Sequence, residues 1–381
     1  MTLDTFSDLP DALVRDLLAK ATPVASVVGA NLTSLRAERS ALRDQAEKAR
    51  LICRKSDLDV TREPSVVGID GSYQIHHLTA VDLCASAAVA VEGTSKEAKR
   101  HWPQPYHQMW VDCVPHEMDT TGVLRGMMVS MELNLAHQAP HDLVLLDGSF
   151  SSLIIYLNQA LTSLSTCVLP LRSEFYQRWR NGLLEELKGL LKSDRTVAVP
   201  KFTSRNELRQ VGNIQSTVET DGKTLATLVL DPGEYTCPLP ILMPGDTYHL
   251  PLTTVMDGGR IDLCSSKDVE EINSALQELK VVYFRPYRWL PALRMELTGI
   301  TASSRVRLSM VLEGITRQFF SPAVIEPYPL FIADRMVKSL GSGVSVIEQV
   351  VVQQVAGDAA DLETTMLCLQ NYRTEGGRGG V

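Results

Sequence analysis

A short apolar phrase that ends in Asp-Gly-Ser and an aromatic residue occurs twice in the chain, at residues 66–73 and 143–150. Each apolar run has the length and composition of a buried β-strand, and Asp-Gly-Ser favours a tight turn after it. If the two strands are neighbours, Asp70 and Asp147 lie together at one edge of a sheet. Paired carboxylates there can bind a hard divalent cation, because such ions prefer oxygen ligands. Two unrelated turns are the alternative.

The order of the predicted elements around the two phrases indicates how they come together. The elements are strands at 66–69, 79–91 and 109–114, a helix at 120–139, a strand at 143–146, two helices, and a strand at 196–199. Three strands in succession favour an antiparallel meander. Meander, helix, strand, helix, strand is the order of an α/β fold of the ribonuclease H-like class, a mixed sheet with flanking helices. Its first and fourth strands are neighbours, so we expect the two phrases to converge.

The rest of the chain divides by composition. Residues 1–60 predict a charged N-terminal helical arm that is either solvated or dimer-forming, and residues 61–345 form the main domain. Within that domain, residues 213–250 are rich in Thr, Gly and Pro and predict a β-rich insertion. Residues 346–381 form a C-terminal segment whose Gly-rich end we expect to be flexible.

Composition excludes several classes of protein. Hydrophobic residues at 44% and charged residues at 22% are typical of a soluble globular protein. A net charge of −8 argues against a generally basic, nucleic-acid-binding surface, but not against a local basic groove. Seven cysteines without C-x-x-C spacing favour neither a zinc site nor a disulfide framework. With no secretory signal and no apolar run long enough for a bilayer, we expect a cytoplasmic protein without membrane association.

Glu132 is a third candidate carboxylate. It lies in the middle of the predicted helix 120–139, close to an apolar stripe that includes Met131 and Leu135 and that predicts core packing. A surface glutamate beside such a stripe is common. Together with two converging aspartates, however, a third inward carboxylate would help to hold two divalent ions against their mutual repulsion.

Histidines and arginines add weaker signals. His76 and His77 are adjacent on a predicted strand, so they point to opposite sides and cannot both bind one metal ion there. We expect them at the surface or in a loop, with local hydrogen bonding as the alternative. Arg294 stands near Tyr287 and Trp289, a combination that suits a single-stranded nucleic-acid path with stacked bases. Alternatively, Arg294 pairs with Glu296, two residues further along the same predicted strand.

An ordered set of motifs resembles the NurA nuclease family. The matching motifs are Ile69-Asp70-Gly71-Ser72, Glu132 in its helix, Val144-Leu145-Leu146-Asp147-Gly148-Ser149, Val199-Pro200-Lys201 with Ser204-Arg205, Val282-Tyr283-Phe284, Leu293-Arg294-Met295-Glu296-Leu297, and Pro327-Tyr328-Pro329-Leu330 with Ala333-Asp334. They cover roughly residues 60–340. Each motif alone is weak, and the specificity lies in their order and spacing.

This resemblance implies a metal-dependent DNA nuclease that degrades DNA from its ends, with Mn²⁺ or Mg²⁺ in a two-metal site. The implied metal ligands are Asp70, Glu132 and Asp147, and Asp334 is a fourth candidate. Lys201 would lie near the scissile phosphate. We expect DNA contacts from Ser72, Ser149, Arg205, Arg294 and Tyr328. Members of the family are typically homodimers docked on a HerA-like hexameric ATPase, and we expect the same partners.

The last motif departs from the family pattern. The family usually has a histidine at the position of Asp334 and a tyrosine at the position of Glu326, while Tyr328 follows two residues later. Aspartate binds the same ions, so Asp334 is a candidate substitute ligand. The alternative is that Asp334 lies at the start of a helix, where the helix dipole favours an acidic residue.

The departure also leaves a second hypothesis for the function, a non-catalytic subunit that guides DNA for a HerA-type translocase. An actin-like ATP-binding protein is a third, because that group also places Asp-Gly phosphate turns at strand ends. Its Asp-x-Gly-x-[Ser/Thr] spacing is absent here, which disfavours it. The sequence does not separate a role in double-strand-break end resection and repair from one in defence against foreign DNA.

Overall fold

The computed structural model describes residues 9–59, 62–95, 100–167, 169–241, 245–358 and 361–371. Its strands are β1 Ile52–Arg54, β2 Val66–His77, β3 Asp82–Glu92, β4 Tyr106–Val114, β5 Leu143–Asp147, β6 Thr196–Val199, β7 Glu234–Thr236, β8 Leu239–Pro240, β9 Thr253–Met256, β10 Gly259–Asp262, β11 Lys280–Arg285 and β12 Leu293–Leu297. Its α-helices are α1 Asp11–Lys48, α2 Thr120–Gln138, α3 Phe150–Ser163, α4 Leu169–Arg178, α5 Leu184–Leu191, α6 Glu207–Gln210, α7 Gly222–Val229, α8 Ser266–Gln277, α9 Gly299–Ser303, α10 Arg305–Thr316, α11 Tyr328–Lys338, α12 Leu340–Asp358 and α13 Leu362–Cys368.

One mixed sheet forms the centre of the fold, in the order β1-β7-β11-β12-β6-β5-β2-β3-β4, with β8 paired to β11. The strands β2, β3 and β4 form the predicted antiparallel meander, and β5 runs parallel to both β2 and β6. The two strands that carry the repeated phrase are therefore neighbours. The predicted α/β class, a ribonuclease H-like mixed sheet, is confirmed.

Helices cover both faces of this sheet, and the residues of β2 and β5 alternate between the two cores. Val67 and Ile69 belong to a core that includes Met127 and Met131 of α2, so the methionine stripe is core as predicted. Val66 belongs to a second core with Leu330 of α11. Because successive side chains on a strand point to opposite faces, Asp70 and Asp147 lie on the α11 side.

A glycine allows α11 to approach the sheet closely. A Cβ atom placed on Gly68 of β2 would lie 2.6 Å from the backbone nitrogen of Leu330 and 2.6 Å from the carbonyl carbon of Pro329. No side chain larger than hydrogen fits there, so glycine is required by this contact. The contact fixes the start of α11 against the strand that carries Asp70.

The first Asp-Gly-Ser phrase is not a turn. The strand β2 runs on to His77, and Asp70 and Gly71 pair with Val89 and Ala88 of β3. The prediction that the strand ends at residue 69 was wrong, because the long Ala- and Val-rich β3 supplies backbone partners for all three residues of the phrase. A pattern of residue types within one segment does not show that partner.

The second Asp-Gly-Ser phrase does form the predicted strand end and turn. The strand β5 ends at Asp147, and Gly148 has a φ of 91°, in the region that favours glycine. The side chain of Ser149 then accepts a hydrogen bond from the backbone nitrogen of Ser152 and caps α3.

The flanking segments are joined to the central sheet. The arm predicted over residues 1–60 contains α1 and also β1, which pairs with β7. Residues 213–250, predicted as a β-rich insertion, contain α7 and the strands β7 and β8, both paired with β11. The helix α12 crosses the predicted boundary at residue 345, and the Gly-rich tail lies outside the described residues. Within the described ranges, no helix has the length and apolar character needed to cross a membrane.

Candidate metal centre

Three aspartates from separate elements converge on one side of the sheet. Asp70 lies within β2, Asp147 ends β5, and Asp334 lies on α11; one carboxylate oxygen of each lies within 4.8 Å of the others. Asp70 is only 8% exposed, and the other two are partly buried. Carboxylates this close repel one another unless cations lie between them.

The electrostatics of Asp70 reflect that repulsion. The backbone N–H of Gly71 donates a hydrogen bond of 2.8 Å to Asp70 Oδ1, which favours the charged form. Burial nevertheless raises the pKa of Asp70, and the neighbouring charge of Asp147 raises it further, to about 8. The charged form of Asp70 is thus disfavoured in the folded protein unless a cation compensates it.

Glu132 reaches the same region from α2. Its Oε1 lies 2.5 Å from the point that a Cβ atom on Gly71 would occupy, so its carboxylate packs against the backbone of β2. Burial, and then the charges of Asp70 and Asp147, raise the pKa of Glu132 well above its usual value. Glu132 is a neighbour of the cluster, while the three mutually close oxygens belong to Asp70, Asp147 and Asp334.

Lys201, which follows β6, lies among these carboxylates. Its Nζ is 2.8 Å from Asp147 Oδ2, 2.5 Å from Asp334 Oδ1 and 3.3 Å from Glu326 Oε2. The contact with Glu326 is an ion pair without hydrogen-bond geometry, since that oxygen is buried without a hydrogen-bond partner. Burial alone would lower the pKa of Lys201, but the carboxylates outweigh burial and the pKa is raised. The lysine therefore stays charged.

Asp334 lies in the second turn of α11, not at its start. The helix dipole therefore does not account for it, since that effect is confined to the first turn. Its Oδ2 is 2.9 Å from Lys338 Nζ. Burial would raise the pKa of Asp334, but the hydrogen bonds from Lys201 and Lys338 lower it. Asp334 is thus an ionised carboxylate directed at the cluster.

Comparisons with known proteins agree with this arrangement. Residues 64–212 match the family model of the NurA domain. This segment is similar to the NurA domain. The predicted resemblance is therefore confirmed. The matched segment includes Asp70, Glu132, Asp147 and Lys201, whereas Asp334 lies beyond it. No curated protein matches the sequence significantly.

Three crystal structures resemble the whole fold. The NurA nuclease from Sulfolobus solfataricus has a TM-score of 0.60 at 13% identity, covering 92% of this chain and 99% of that one. A second NurA structure has a TM-score of 0.51 at 12% identity, and a NurA bound to dAMP and manganese has 0.50 at 11%; each covers 91% of this chain and 99% of the other. At such identities the likeness shows the fold alone.

Four of the residues predicted to contact DNA differ in their surroundings. Ser72 is half-buried on β2, and Ser149 caps α3. The guanidinium of Arg205 donates to the carbonyl of Ile241 at 3.1 Å and to the hydroxyl of Tyr248 at 3.4 Å, which holds that segment in place. The ring of Tyr328 lies edge-on to exposed Phe320, with centroids 5.8 Å apart. Their DNA contacts remain predictions.

Arg294 is not available to DNA, because its side chain is only 1% exposed. It binds Glu207 Oε1 at 2.5 Å and also binds Glu296. The hydroxyl of Tyr283 donates to Glu207 Oε2 at 2.5 Å, and the backbone N–H of Phe150 donates to Glu296 Oε2 at 2.9 Å. The predicted DNA contact at Arg294 was wrong, and the alternative, a structural pair with Glu296, is confirmed.

Three residues near the cluster were not predicted as site residues. Glu326 was visible in the sequence only as a departure from the family motif. Lys223 of α7 donates a hydrogen bond of 3.2 Å to the carbonyl of Lys201, and it lies in a region whose sequence predicted no helix. Phe202, next to Lys201, is 93% exposed, and a large aromatic side chain in that position is a signal that sequence reasoning could have used.

Proposed function

We propose that this chain is a divalent-metal-dependent nuclease that hydrolyses phosphodiester bonds at DNA ends. The observation that supports it most is the group of three aspartate oxygens within 4.8 Å of one another. It lies in a fold that resembles a NurA structure bound to manganese and dAMP. A site that cleaves phosphodiester bonds has to bind a nucleotide and a metal ion, and that related structure holds both.

The residues present fit Mn²⁺ or Mg²⁺. Both are hard ions that take carboxylate oxygens as ligands, and the raised pKa of Asp70, caused by burial and by Asp147, indicates an ionised form that a bound cation would favour. Asp70, Asp147 and Asp334 would hold the metal, with the carboxyl group of Glu132 behind Gly71 as a further candidate ligand. A bound divalent ion supplies charge stabilisation at the phosphate and lowers the pKa of water, and two such ions form a clamp.

The other residues of the cluster would position DNA. Lys201 is held between Asp147 and Asp334, from where its ammonium group can donate hydrogen bonds to a phosphate oxygen of the substrate. The exposed ring of Phe202 next to it offers a surface on which a terminal base can stack. Lys223 would hold the backbone at Lys201 in place through its hydrogen bond to that carbonyl.

Cleavage of end-labelled linear DNA in the presence of Mn²⁺ or Mg²⁺ tests the proposal. We expect shortening of the DNA by the wild-type protein, none with a chelator, and none with Asp70→Asn or Asp147→Asn. The matched control is Asp262→Asn, which removes an exposed strand aspartate of β10 and should cleave normally. Cleavage that persists in both cluster variants would contradict the metal assignment. Labels on either end distinguish the polarity of digestion.

A second candidate is the non-catalytic subunit. The specific observation in its favour is that Lys201 already forms ion pairs with both Asp147 and Asp334, so an ammonium group partly takes the place of a metal ion. This candidate predicts no cleavage with Mn²⁺, with or without a HerA-like ATPase, while a stable complex with that ATPase still forms. Cleavage by the purified chain excludes it.

The proposal extends to the partners. We propose that the chain works as a homodimer with a HerA-like hexameric ATPase in the cytoplasm, in DNA end resection and repair or in defence against foreign DNA. Exposed apolar residues along α1, including Leu17, Val24 and Val28, support self-association. Light scattering of the purified chain should give twice the chain mass, and a monomer would contradict the dimer.

A further inference from the structure

A second group of metal-binding side chains lies at the far end of the meander, away from the aspartate cluster. His77 ends β2 and is directly opposite Asp82, the first residue of β3. Asp82 is in turn opposite Val114 of β4, and His116 follows two residues later. Opposite residues on paired strands share a face, so three adjacent strands bring these side chains together. One ligand atom of each lies within 4.8 Å of the others.

The two imidazole rings are directed at one carboxylate oxygen. His77 Nδ1 lies 2.6 Å from Asp82 Oδ1, and His116 Nδ1 lies 2.7 Å from the same oxygen. The carboxylate of Asp82 is buried, with 3% of its side chain exposed, while the histidine side chains are 63% and 45% exposed. Two nitrogens and one oxygen thus lie together, with the oxygen on the protein side and the two rings open to solvent.

The remaining ring nitrogen of His116 supports a particular tautomer. His116 Nε2 lies 3.2 Å from the carbonyl oxygen of Thr79. A hydrogen on Nε2 that donates to this carbonyl leaves Nδ1 as the nitrogen that faces Asp82. Histidines that bind metals usually donate their other ring N–H to a backbone carbonyl or a carboxylate, which fixes the ring orientation. In the absence of a metal, a proton on Nδ1 can make the hydrogen bond of 2.7 Å to Asp82 Oδ1, and a metal ion would replace that proton.

We propose that His77, Asp82 and His116 form a zinc site. Imidazole nitrogens favour zinc over magnesium or manganese, and three protein ligands with a solvent-facing position match the coordination that zinc adopts. The site is independent of the aspartate cluster and of the proposed nuclease activity. His77 and Asp70 are separated by an odd number of positions on β2, so they lie on opposite faces of the sheet.

A zinc ion at this site would stabilise the structure. It would tie the ends of three strands together and, through His116, hold the carbonyl of Thr79. The same loop binds the C-terminal segment, because the backbone N–H of Thr79 donates to Gln370 O at 2.8 Å and that of Ala80 donates to Cys368 O at 2.9 Å. The metal would therefore stabilise the docking of residues 368–371 against the meander.

Zinc titration of the full-length, metal-free protein tests the site. The Asp70→Asn/Asp147→Asn background removes two of the three aspartates from the other cluster, so that calorimetry with Zn²⁺ alone reports this site. We expect one equivalent of zinc per chain, lost in His77→Gln and in His116→Gln. His107→Gln, an exposed histidine of β4, is the matched control and should bind zinc normally. Stoichiometric binding that survives both variants, or no binding at all, would overturn the proposal.

Copper provides a readout that identifies the ligands directly. Cu²⁺ also binds imidazole well, and its electron paramagnetic resonance spectrum should show coupling to two nitrogens in the background protein. A copper ion held only by carboxylates shows no such coupling. Circular dichroism in the presence of chelator checks that each variant is folded. If the His116→Gln variant does not fold, the His77→Gln variant, which changes an exposed residue, provides the test. A spectrum without nitrogen coupling would mean that protons alone bridge these groups.

Discussion

Two clusters of buried charges adjoin in this fold, and they differ in how completely they are satisfied. Around Arg294, two glutamates share one guanidinium, and further donors come from Tyr283 and the backbone of Phe150. Burial would raise the pKa of Glu207, but the bond from Arg294 lowers it. In the aspartate cluster, burial and like charges raise the pKa of Asp70 to about 8. The first cluster is complete in the folded chain, and the second is not.

The difference separates a structural role from a binding role. A buried ion-pair network whose hydrogen bonds are made holds the fold, and removing one partner leaves a charge without compensation. Carboxylates that lie close together repel one another, and a bound cation relieves that repulsion. Removing the cation of the first cluster should therefore lower stability, removing an aspartate from the second should raise it, and only the second cluster should respond to Mn²⁺.

The largest effect is expected for Arg294→Met. This change leaves Glu207 and Glu296 buried without their cation and should lower the free energy of unfolding by about 3–5 kcal/mol. Urea denaturation measures it, and Mn²⁺ should not restore the loss. Arg260→Met, at an exposed position of β10, is the control and should change stability by less than about 0.5 kcal/mol. A small effect at position 294 would remove the distinction between the clusters.

Asp70→Asn should have the opposite sign. Removing one charge from the aspartate cluster should raise the free energy of unfolding of the metal-free protein by about 1–3 kcal/mol, the range for an uncompensated buried polar group. Mn²⁺ at a hundred times its dissociation constant should stabilise the wild type by about 2.7 kcal/mol and the variant by much less. Thermal unfolding with and without Mn²⁺ measures both. A less stable metal-free variant would show that the charges at the cluster are already balanced.

Lys201→Met should destabilise the metal-free protein by about 1–2 kcal/mol, because Asp147 and Asp334 lose their cation. Here, unlike at Arg294, Mn²⁺ should recover the loss, since the ion replaces the ammonium charge. Calorimetry should also show tighter Mn²⁺ binding without the competing lysine. Lys338→Met removes a more exposed partner of Asp334 and should have a smaller effect. Weaker binding of Mn²⁺ to the Lys201 variant would show that the lysine does not compete with the metal.

The smallest effect is expected for Tyr283→Phe, which removes only the hydroxyl that donates to Glu207. A loss of about 1 kcal/mol is typical for one hydrogen bond, and it should be the same with and without Mn²⁺. Urea denaturation in both conditions measures it. A loss that Mn²⁺ reverses would indicate that the two clusters are coupled through the cavity that Arg294 and Lys201 both line.

The sequence predicted the part of the site that depends on local patterns. Short apolar runs predicted the strands, and the element order predicted that β2 and β5 are neighbours. The pairing of Arg294 with Glu296 followed from their spacing. The two Asp-Gly-Ser phrases have the same residues but different conformations. The first phrase pairs with β3, whereas the second forms a turn at the end of β5.

The remainder depends on contacts between distant segments. Glu207 meets Arg294, and Lys201 meets Asp334, only because the sheet and α11 bring them together. No spacing rule within the chain predicts either contact. The close approach of α11 to Gly68 could not be predicted either, because a glycine in a strand is compatible with several different features. Sequence patterns identify which residue types are present, and packing decides which of them face each other.

The contact between Gly68 and α11 has a consequence for the growing chain. Translation at about 5–20 residues per second separates the synthesis of Asp147 from that of Asp334 by about 10–40 s. Throughout this interval the nascent chain carries both Asp-Gly-Ser phrases but lacks the third aspartate. A product truncated before residue 328 would lack it permanently. The full cluster is thus acquired late in synthesis, when α11 emerges and packs against β2.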